Sequence, residues 1–244
     1  MDGAIIVCSG GLDSVTAAYT VRSKNPTAKL VLLFVDYAQR SKEEELFCAK
    51  KQAEFLGAEF IQVDMSWLGA LSASLINSEE KVPKKVMNDL ENVELEQKDV
   101  AIWWVPFRNT LLVSAAVAHA ESIFLKTKER FSIVVGIKKE GQISFKDSRP
   151  EFVAAMNALA EEGTFHGGFE VIAPLIELDK DEVVALGTSL NIPYEFTLSC
   201  YAPKGFKENL PVHCGVCSAC RQRQAAFYWS GKKDPSLYEV PFEA

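Results

Sequence analysis

No apolar run in this chain approaches the ~18–20 residues of a membrane-crossing helix, so no span is expected. No basic region or cleavage site precedes the first apolar stretch, so no signal peptide is expected either, and the location implied is cytoplasmic. Positive charge is in deficit. Lys and Arg number 26 against 33 Asp and Glu, a net charge of −7, which argues against a broad basic face for sequence-independent nucleic-acid binding. A local basic patch remains compatible with that balance. There is no internal repeat and no low-complexity tract. Six cysteines in 244 residues are too few for a secreted disulfide scaffold, and four of them crowd toward the C-terminus, which in a cytoplasmic protein points to metal. What is present is ample apolar material. A hydrophobic content of 48% fits a soluble globular protein of one α/β domain, or one plus a small appendage.

The chain is organised around Ile5-Ile6-Val7-Cys8-Ser9-Gly10-Gly11-Leu12-Asp13-Ser14. An apolar strand ends at Ser9, two glycines follow, and residues 13–21 have helical spacing. A strand, a glycine turn and a helix N-terminus cradle phosphate, because backbone N–H groups converge there and the glycines lack a Cβ to obstruct an anion. No Gly-Lys-Ser/Thr follows, so this is not a Walker loop. Ser-Gly-Gly-x-Asp-Ser resembles the PP-loop of the N-type ATP pyrophosphatases, which cleave ATP between the α and β phosphates. The resemblance implies that Ser9, Gly10, Gly11 and Ser14, with Leu12 in the same loop, hold pyrophosphate, and that Asp13 holds Mg²⁺. The plainer alternative is a strand–helix turn with an Asp cap.

Further along, Leu30–Val35 is a strand buried on both faces, ending in Asp36-Tyr37-Ala38-Gln39-Arg40 at the carboxyl edge of the sheet. Residues 41–55 read as a helix beside an acidic face, and 60–63 as a third strand. This alternation implies a doubly wound parallel sheet, with the ligand site at the strands' carboxyl ends. Residues 65–100 change character and read as a long insertion, a candidate lid or a solvated loop. A helix is expected from about 110 to 125, with Asn109 as its cap and Arg108 opposing the helix dipole unless it faces an anion. Strands are expected at 132–136 and 169–172, a helix at 148–162, and a capped helix from Asp179. Lys180 in that last helix's first turn also opposes the dipole unless it faces phosphate. Five strands in all are expected, within a domain of residues 1–195 followed by a cysteine segment of 196–244.

Cys200, Cys214, Cys217 and Cys220 form C-x13-C-x2-C-x2-C. Four thiolates can each stand about 2.3 Å from one zinc ion with no position open for water, so the expected site is structural, one Zn²⁺ per chain. Iron–sulfur ligation and a buried core pair are the alternatives. Arg221 and Arg223 are expected to offset the negative charge of the thiolates. His213 is not expected to ligate beside Cys214. Cys8 and Cys48 read as core, and His119 and His166 as ordinary residues.

Six short motifs in order resemble the 7-cyano-7-deazaguanine synthase family over nearly the whole chain: the PP-loop, Asp36–Arg40, Val105–Asn109, Asp179-Lys180, Ser199–Tyr201 and the cysteine run with its following Arg-Gln-Arg-Gln-Ala-Ala-Phe. The resemblance implies two ATP-driven activations of 7-carboxy-7-deazaguanine, with ammonia as nitrogen donor and a homodimer as assembly. It implies Asp13, Lys180 and Arg108 as catalytic residues, and nucleotide contacts at Asp36, Gln39, Arg40, Asn109 and Gly136. No protein nucleophile is required. The chain departs from the family at Phe107, where the family has Gly, at Gly141, where it has an Asp that reads the base, and at Phe145-Lys146-Asp147, where it has Tyr-Pro-Asp. With Lys138, Lys139 and Lys146 around Gly141, these departures leave two other readings. One is a diverged enzyme joining deazaguanine to a protein amine in antiviral defence. The other is a tRNA-modifying relative or a nucleotide-binding module.

Overall fold

The structure, a computed structural model, describes residues 2–86, 89, 100–138 and 145–241. Strict alternation along the strands decides its architecture. In β1 (Gly3–Val7), Ala4 and Ile6 enter one core while Ile5 enters another. β2 (Lys29–Asp36) does the same, with Leu30, Leu32 and Phe34 on one face and Val31, Leu33 and Val35 on the other. A period of two sends successive side chains to opposite faces, so a strand apolar at every position must be covered twice.

The cover comes from helices on both sides. α1 (Leu12–Lys24) and α2 (Lys42–Leu56) pack against the first core, and β3 (Glu59–Asp64) follows α2. After a short helix α3 (Trp67–Ala70) come α4 (Arg108–Thr127), β4 (Phe131–Val135), α5 (Pro150–Gly163) and β5 (Val171–Ile172). α4 and α5 cover the second core through Val113, Ala116, Met156 and Ala160. α6 (Lys180–Ser189) and α7 (Ser218–Trp229) return to the first. All five strands are parallel, in the order β3-β2-β1-β4-β5. The chain therefore reverses direction of winding between β1 and β4, and a crevice opens at their carboxyl ends.

Several expectations shift. α4 begins at Arg108, and the residue before it, Phe107, has φ 59° and no side-chain cap, so Asn109 lies inside the first turn and does not cap. β5 is shorter than expected, at two residues. The stretch Val100–Thr127 is long and apolar enough by composition to cross a membrane, contrary to the reading above. Its helix is interrupted at 104–107, and Val113, Ala116, Val117 and Ala120 are buried against the sheet.

The last third adds a small sheet that the sequence did not announce. β6 (Phe206–Lys207) pairs antiparallel with β7 (Leu210–His213), and β8 (Leu237–Tyr238) adds to β7 in parallel. The core does not stop at residue 195. Ala226 and Phe227 of α7 pack in the same cluster as Ala4, Ile6 and Val15. Of the 65–100 insertion, residues 87, 88 and 90–99 lie outside the described residues. The described part is packed, with Leu68 and Ile76 against Trp103 and Val105 and the Lys85 N–H donating to the Val216 carbonyl.

Candidate active site and metal centre

The loop after β1 forms the floor of the crevice. Gly10 has φ 75°, and a Cβ there would stand 2.7 Å from the Glu45 carbonyl oxygen and 2.8 Å from the Ala49 nitrogen, so only glycine lets the loop lie on the backbone of α2. Gly11 is the N-cap of α1 and supplies no side-chain cap. The Ser14 hydroxyl donates to the Gly11 carbonyl at 3.2 Å and lies 3.3 Å from the Ser9 hydroxyl, which also accepts from the Gly11 N–H. These bonds hold the loop closed around a helix N-terminus whose first N–H groups lack a side-chain partner. Gly136, just past β4, completes the floor. A Cβ at Gly136 would meet Ser14 Cα at 2.4 Å and Ser14 N at 2.5 Å, so α1 can seat on the end of β4 only because this residue is bare.

Two helix starts face one another across this floor. Asp179 and Glu182 form a reciprocal capping box, which fixes Lys180 as the first residue of α6. Lys180 Nζ reaches Asp13 Oδ2 of α1 at 2.5 Å. The other oxygen, Asp13 Oδ1, is buried without a hydrogen-bond partner among the described residues. An acceptor-only carboxylate oxygen in that state fits a cation such as Mg²⁺.

The wall opposite comes from the segment after β2 and from α4. Tyr37, Gln39, Ser41, Glu45, Arg108 and Asn109 line it, and Trp103, Phe145, Phe152 and Tyr201 add aromatic surface, in a cavity of about 300 Å³. Trp103 stacks near Tyr201 with ring centres 4.2 Å apart. The Arg108 guanidinium lies 5.7 Å from the Tyr37 ring centre and donates to Asn109 Oδ1 at 3.1 Å. Gln39 is held on three sides: its Oε1 accepts from the Tyr37 N–H, and its Nε2 donates to the Val35 carbonyl and to Glu45.

Ser9, Gly11, Leu12, Asp13, Ser14, Gln39, Arg108, Asn109, Gly136 and Lys180 therefore share one cleft. Gly10, Asp36 and Arg40 do not line it. Asp36 is buried at the end of β2, accepting from the Ala38 N–H and pairing with Lys42 at 2.6 Å. Arg40 points to the Glu80 carbonyl. Lys138 is buried at the cleft, whereas Lys139 and Gly141 lie outside the described residues. The sequence reading missed Glu45. Three consecutive glutamates at a helix start suggested a solvated acidic face, yet Glu44 is buried and Glu45 lines the cleft.

Behind the cleft, the four cysteines are buried, and their sulfurs all lie within 4.8 Å of one another. Cys214 Sγ and Cys220 Sγ are 3.9 Å apart, close to the edge of about 3.8 Å that a tetrahedron with ~2.3 Å metal–sulfur bonds requires. Backbone N–H groups of Ala202, Cys214, Val216 and Cys220 point at the sulfurs, an arrangement that favours thiolate. Four cysteines so placed can hold a metal ion. His213 is not among the ligand atoms. Its Nε2 accepts from the Ser199 N–H, and burial pushes its pKa down to about 3, keeping it neutral. Arg221 and Arg223 direct their hydrogen bonds away from the sulfurs. Arg221 donates to Lys85 and Gln224, and Arg223 to Asp234, Thr197 and the Tyr194 carbonyl.

Curated relatives share this chain at full length. A 7-cyano-7-deazaguanine synthase from Methanothermobacter thermautotrophicus is 35% identical over 237 residues, covering 96% of this chain and 98% of its own. One from Methanothrix thermoacetophila is 33% identical, covering 98% and 100%. Among solved structures, an NMN synthetase from Francisella tularensis aligns with a TM-score of 0.44 at 14% identity over 95% of this chain and 78% of that one. The profile described as queuosine biosynthesis protein QueC matches residues 3–231, a span that takes in the loop, both facing helix starts and all four cysteines, and the chain belongs to that family.

Proposed function

We propose that this chain is a 7-cyano-7-deazaguanine synthase, converting the carboxylate of 7-carboxy-7-deazaguanine to a nitrile with ATP and ammonia. The observation that carries this reading is the single cleft in which the glycine loop, the Asp13–Lys180 pair and Arg108 face a wall of aromatic rings. The carboxylate attacks the α phosphate of ATP and pyrophosphate leaves. That step needs positive charge on the departing oxygens and the transferring phosphorus, placed before the reaction begins. Lys180 and the N–H groups of α1 supply it on one side, and Arg108 on the other. Asp13 would hold Mg²⁺ through its unpartnered Oδ1, and the ion would neutralise pyrophosphate. The flat deazapurine suits the faces of Tyr37, Trp103 and Tyr201. Trp103 Nε1, buried without a partner among the described residues, offers an edge donor.

The cysteine cluster is read as one structural zinc. A four-iron cluster places an iron between each thiolate and the centre and so needs its thiolates farther apart than around a single ion. The sulfurs here are close together. No observation favours a protein amine as acceptor. A homodimer belongs to the same reading and rests on the resemblance alone, while a cytoplasmic location rests on the sequence reading above.

The test is direct. The purified protein with ATP, Mg²⁺, 7-carboxy-7-deazaguanine and ammonia should yield the nitrile, AMP and pyrophosphate by mass spectrometry. Asp13→Ala should remove all three while the protein stays folded. Release of ADP and phosphate would overturn the loop assignment.

A further inference from the structure

Ammonia attacks only as the neutral molecule, whereas at neutral pH the solution holds ammonium. An enzyme that aminates an acyl adenylate at neutral pH therefore gains from a group in its cleft that binds a small cation and takes a proton. Asp13 is engaged with Lys180. Glu45 is the other carboxylate lining the cleft among the described residues.

Its setting is built. Ser41 Oγ donates to Glu45 Oε1 at 2.7 Å, and Gln39 Nε2 donates to Oε2 at 3.0 Å. Gln39 is itself fixed by Val35 and Tyr37, so the carboxylate is aimed rather than loose. A carboxylate offers about four lone-pair positions, and two of them are filled in this way. Glu45 makes no ion pair with Lys or Arg among the described residues. It is half-buried and lines the same cleft as Ser9, where two lone-pair positions remain to receive a small donor.

We propose that Glu45 binds ammonium in this cleft and removes the proton that frees it to attack the acyl adenylate. The inference rests on the synthase reading. An N–H bond of ammonium breaks and its proton goes to the Glu45 carboxylate. The freed lone pair forms the C–N bond, and the acyl C–O bond breaks with its electrons leaving on the phosphate of AMP. The nitrogen's second surplus proton is lost to water, giving the neutral amide.

Burial raises the carboxyl's pKa to about 7, against the opposing hydrogen bonds of Gln39 and Ser41 and the positive charge of Arg108. The neighbouring Glu44 adds to the rise, and Tyr37, Cys8 and Cys48 are the other titratable groups facing it. A base with that value is matched to neutral solution.

Hydroxylamine separates this role from a structural one, because it is a neutral nucleophile at pH 7. In Glu45→Gln, product formation with ammonium at pH 7 should fall about 10²-fold, while hydroxamate formation with hydroxylamine should stay within a few-fold of wild type. The ammonium deficit should narrow as pH rises from 7 to 9. Wild type should show a limb in kcat/KM for ammonium near pH 7, and Ser41→Ala, which removes one donor, should move that limb to higher pH. Equal losses with both nucleophiles, or an unchanged ammonium rate, would overturn the proposal. If wild type releases no pyrophosphate in response to 7-carboxy-7-deazaguanine, the synthase reading fails and this proposal with it. If wild type works and Glu45→Gln keeps the limb, only this proposal fails.

Discussion

Ala38 and Phe107 each sit at φ 59°, in the left-handed region. Phe107 stands where the resembled family carries glycine. For an L-residue with a Cβ this conformation costs roughly 1–2 kcal/mol, and glycine gives back part of that advantage through its freer unfolded chain. Ala38→Gly and Phe107→Gly should therefore each raise stability by about 0.5–1 kcal/mol, read from urea midpoints. Phe107 is 65% exposed, so little packing is lost with its ring. The sequence displays the Phe107 departure but not its backbone angle, which follows from how the chain enters α4. Gly136 is the opposite case. Any Cβ there strikes the backbone of Ser14, which cannot swing aside. Gly136→Ala should lower stability by about 1–3 kcal/mol and reduce AMP formation more than a surface substitution of equal stability cost. A thermal melt and an AMP assay on the same preparation decide this.

At the scale of elements, what could be read early was local, and what escaped was long-range. The glycine loop, the capping box at Asp179 and the run Cys214 to Cys220 each lie within a few residues, so their geometry follows from the covalent chain, and Cys200 is legible only as the fourth thiol of the set. Lys180 was legible as an anomaly in a helix first turn, and its partner proved to be Asp13, 167 residues away. Glu45 was illegible because an acidic helix start is also what a solvated helix shows. Its burial depends on the loop of β1 lying on α2. The strands β6, β7 and β8 were missed because two-residue and four-residue strands carry too little periodicity. The cysteine segment yields its own prediction. Metal binding and folding are one free energy at such a centre. Cys217→Ser should lose the bound metal by elemental analysis and lower stability by several kcal/mol. Retained metal and an unchanged melt would show that the sulfurs are ordinary core.

At the scale of the whole molecule, one buried ion pair ties the C-terminal strand to the core around α1. Arg223 of α7 is fully buried, with its Nε 3.0 Å and its Nη2 3.2 Å from the Asp234 carboxylate. The same guanidinium donates to Thr197 and to the Tyr194 carbonyl, and the Tyr238 hydroxyl of β8 donates to Asp234 at 2.6 Å. Tyr194 in turn contacts Thr16 of α1 at 3.0 Å. A chain of polar contacts thus runs from β8 through Arg223 to the helix that begins at the loop. Removing one partner of such a pair leaves a charge uncompensated, so Asp234→Asn should cost about 3–5 kcal/mol at pH 7. Burial alone would raise the Asp234 pKa, but the Arg223 charge, with Tyr238 and the Ser236 N–H, outweighs it and brings the carboxyl down to about 2. The folded pKa therefore lies below the unfolded one, and the stability it contributes is present above the unfolded value of about 3.9 and lost as pH falls through 2. That contribution is about 2–3 kcal/mol. Other groups also titrate in acid, so the quantity to measure is the difference in unfolding free energy between wild type and Asp234→Asn at each pH. The difference should be constant from pH 7 down to about 5 and shrink by about 2 kcal/mol as pH falls to 2. A difference independent of pH across that range would mean that Arg223 is neutralised by other groups and that Asp234 does not fasten the C-terminal strand.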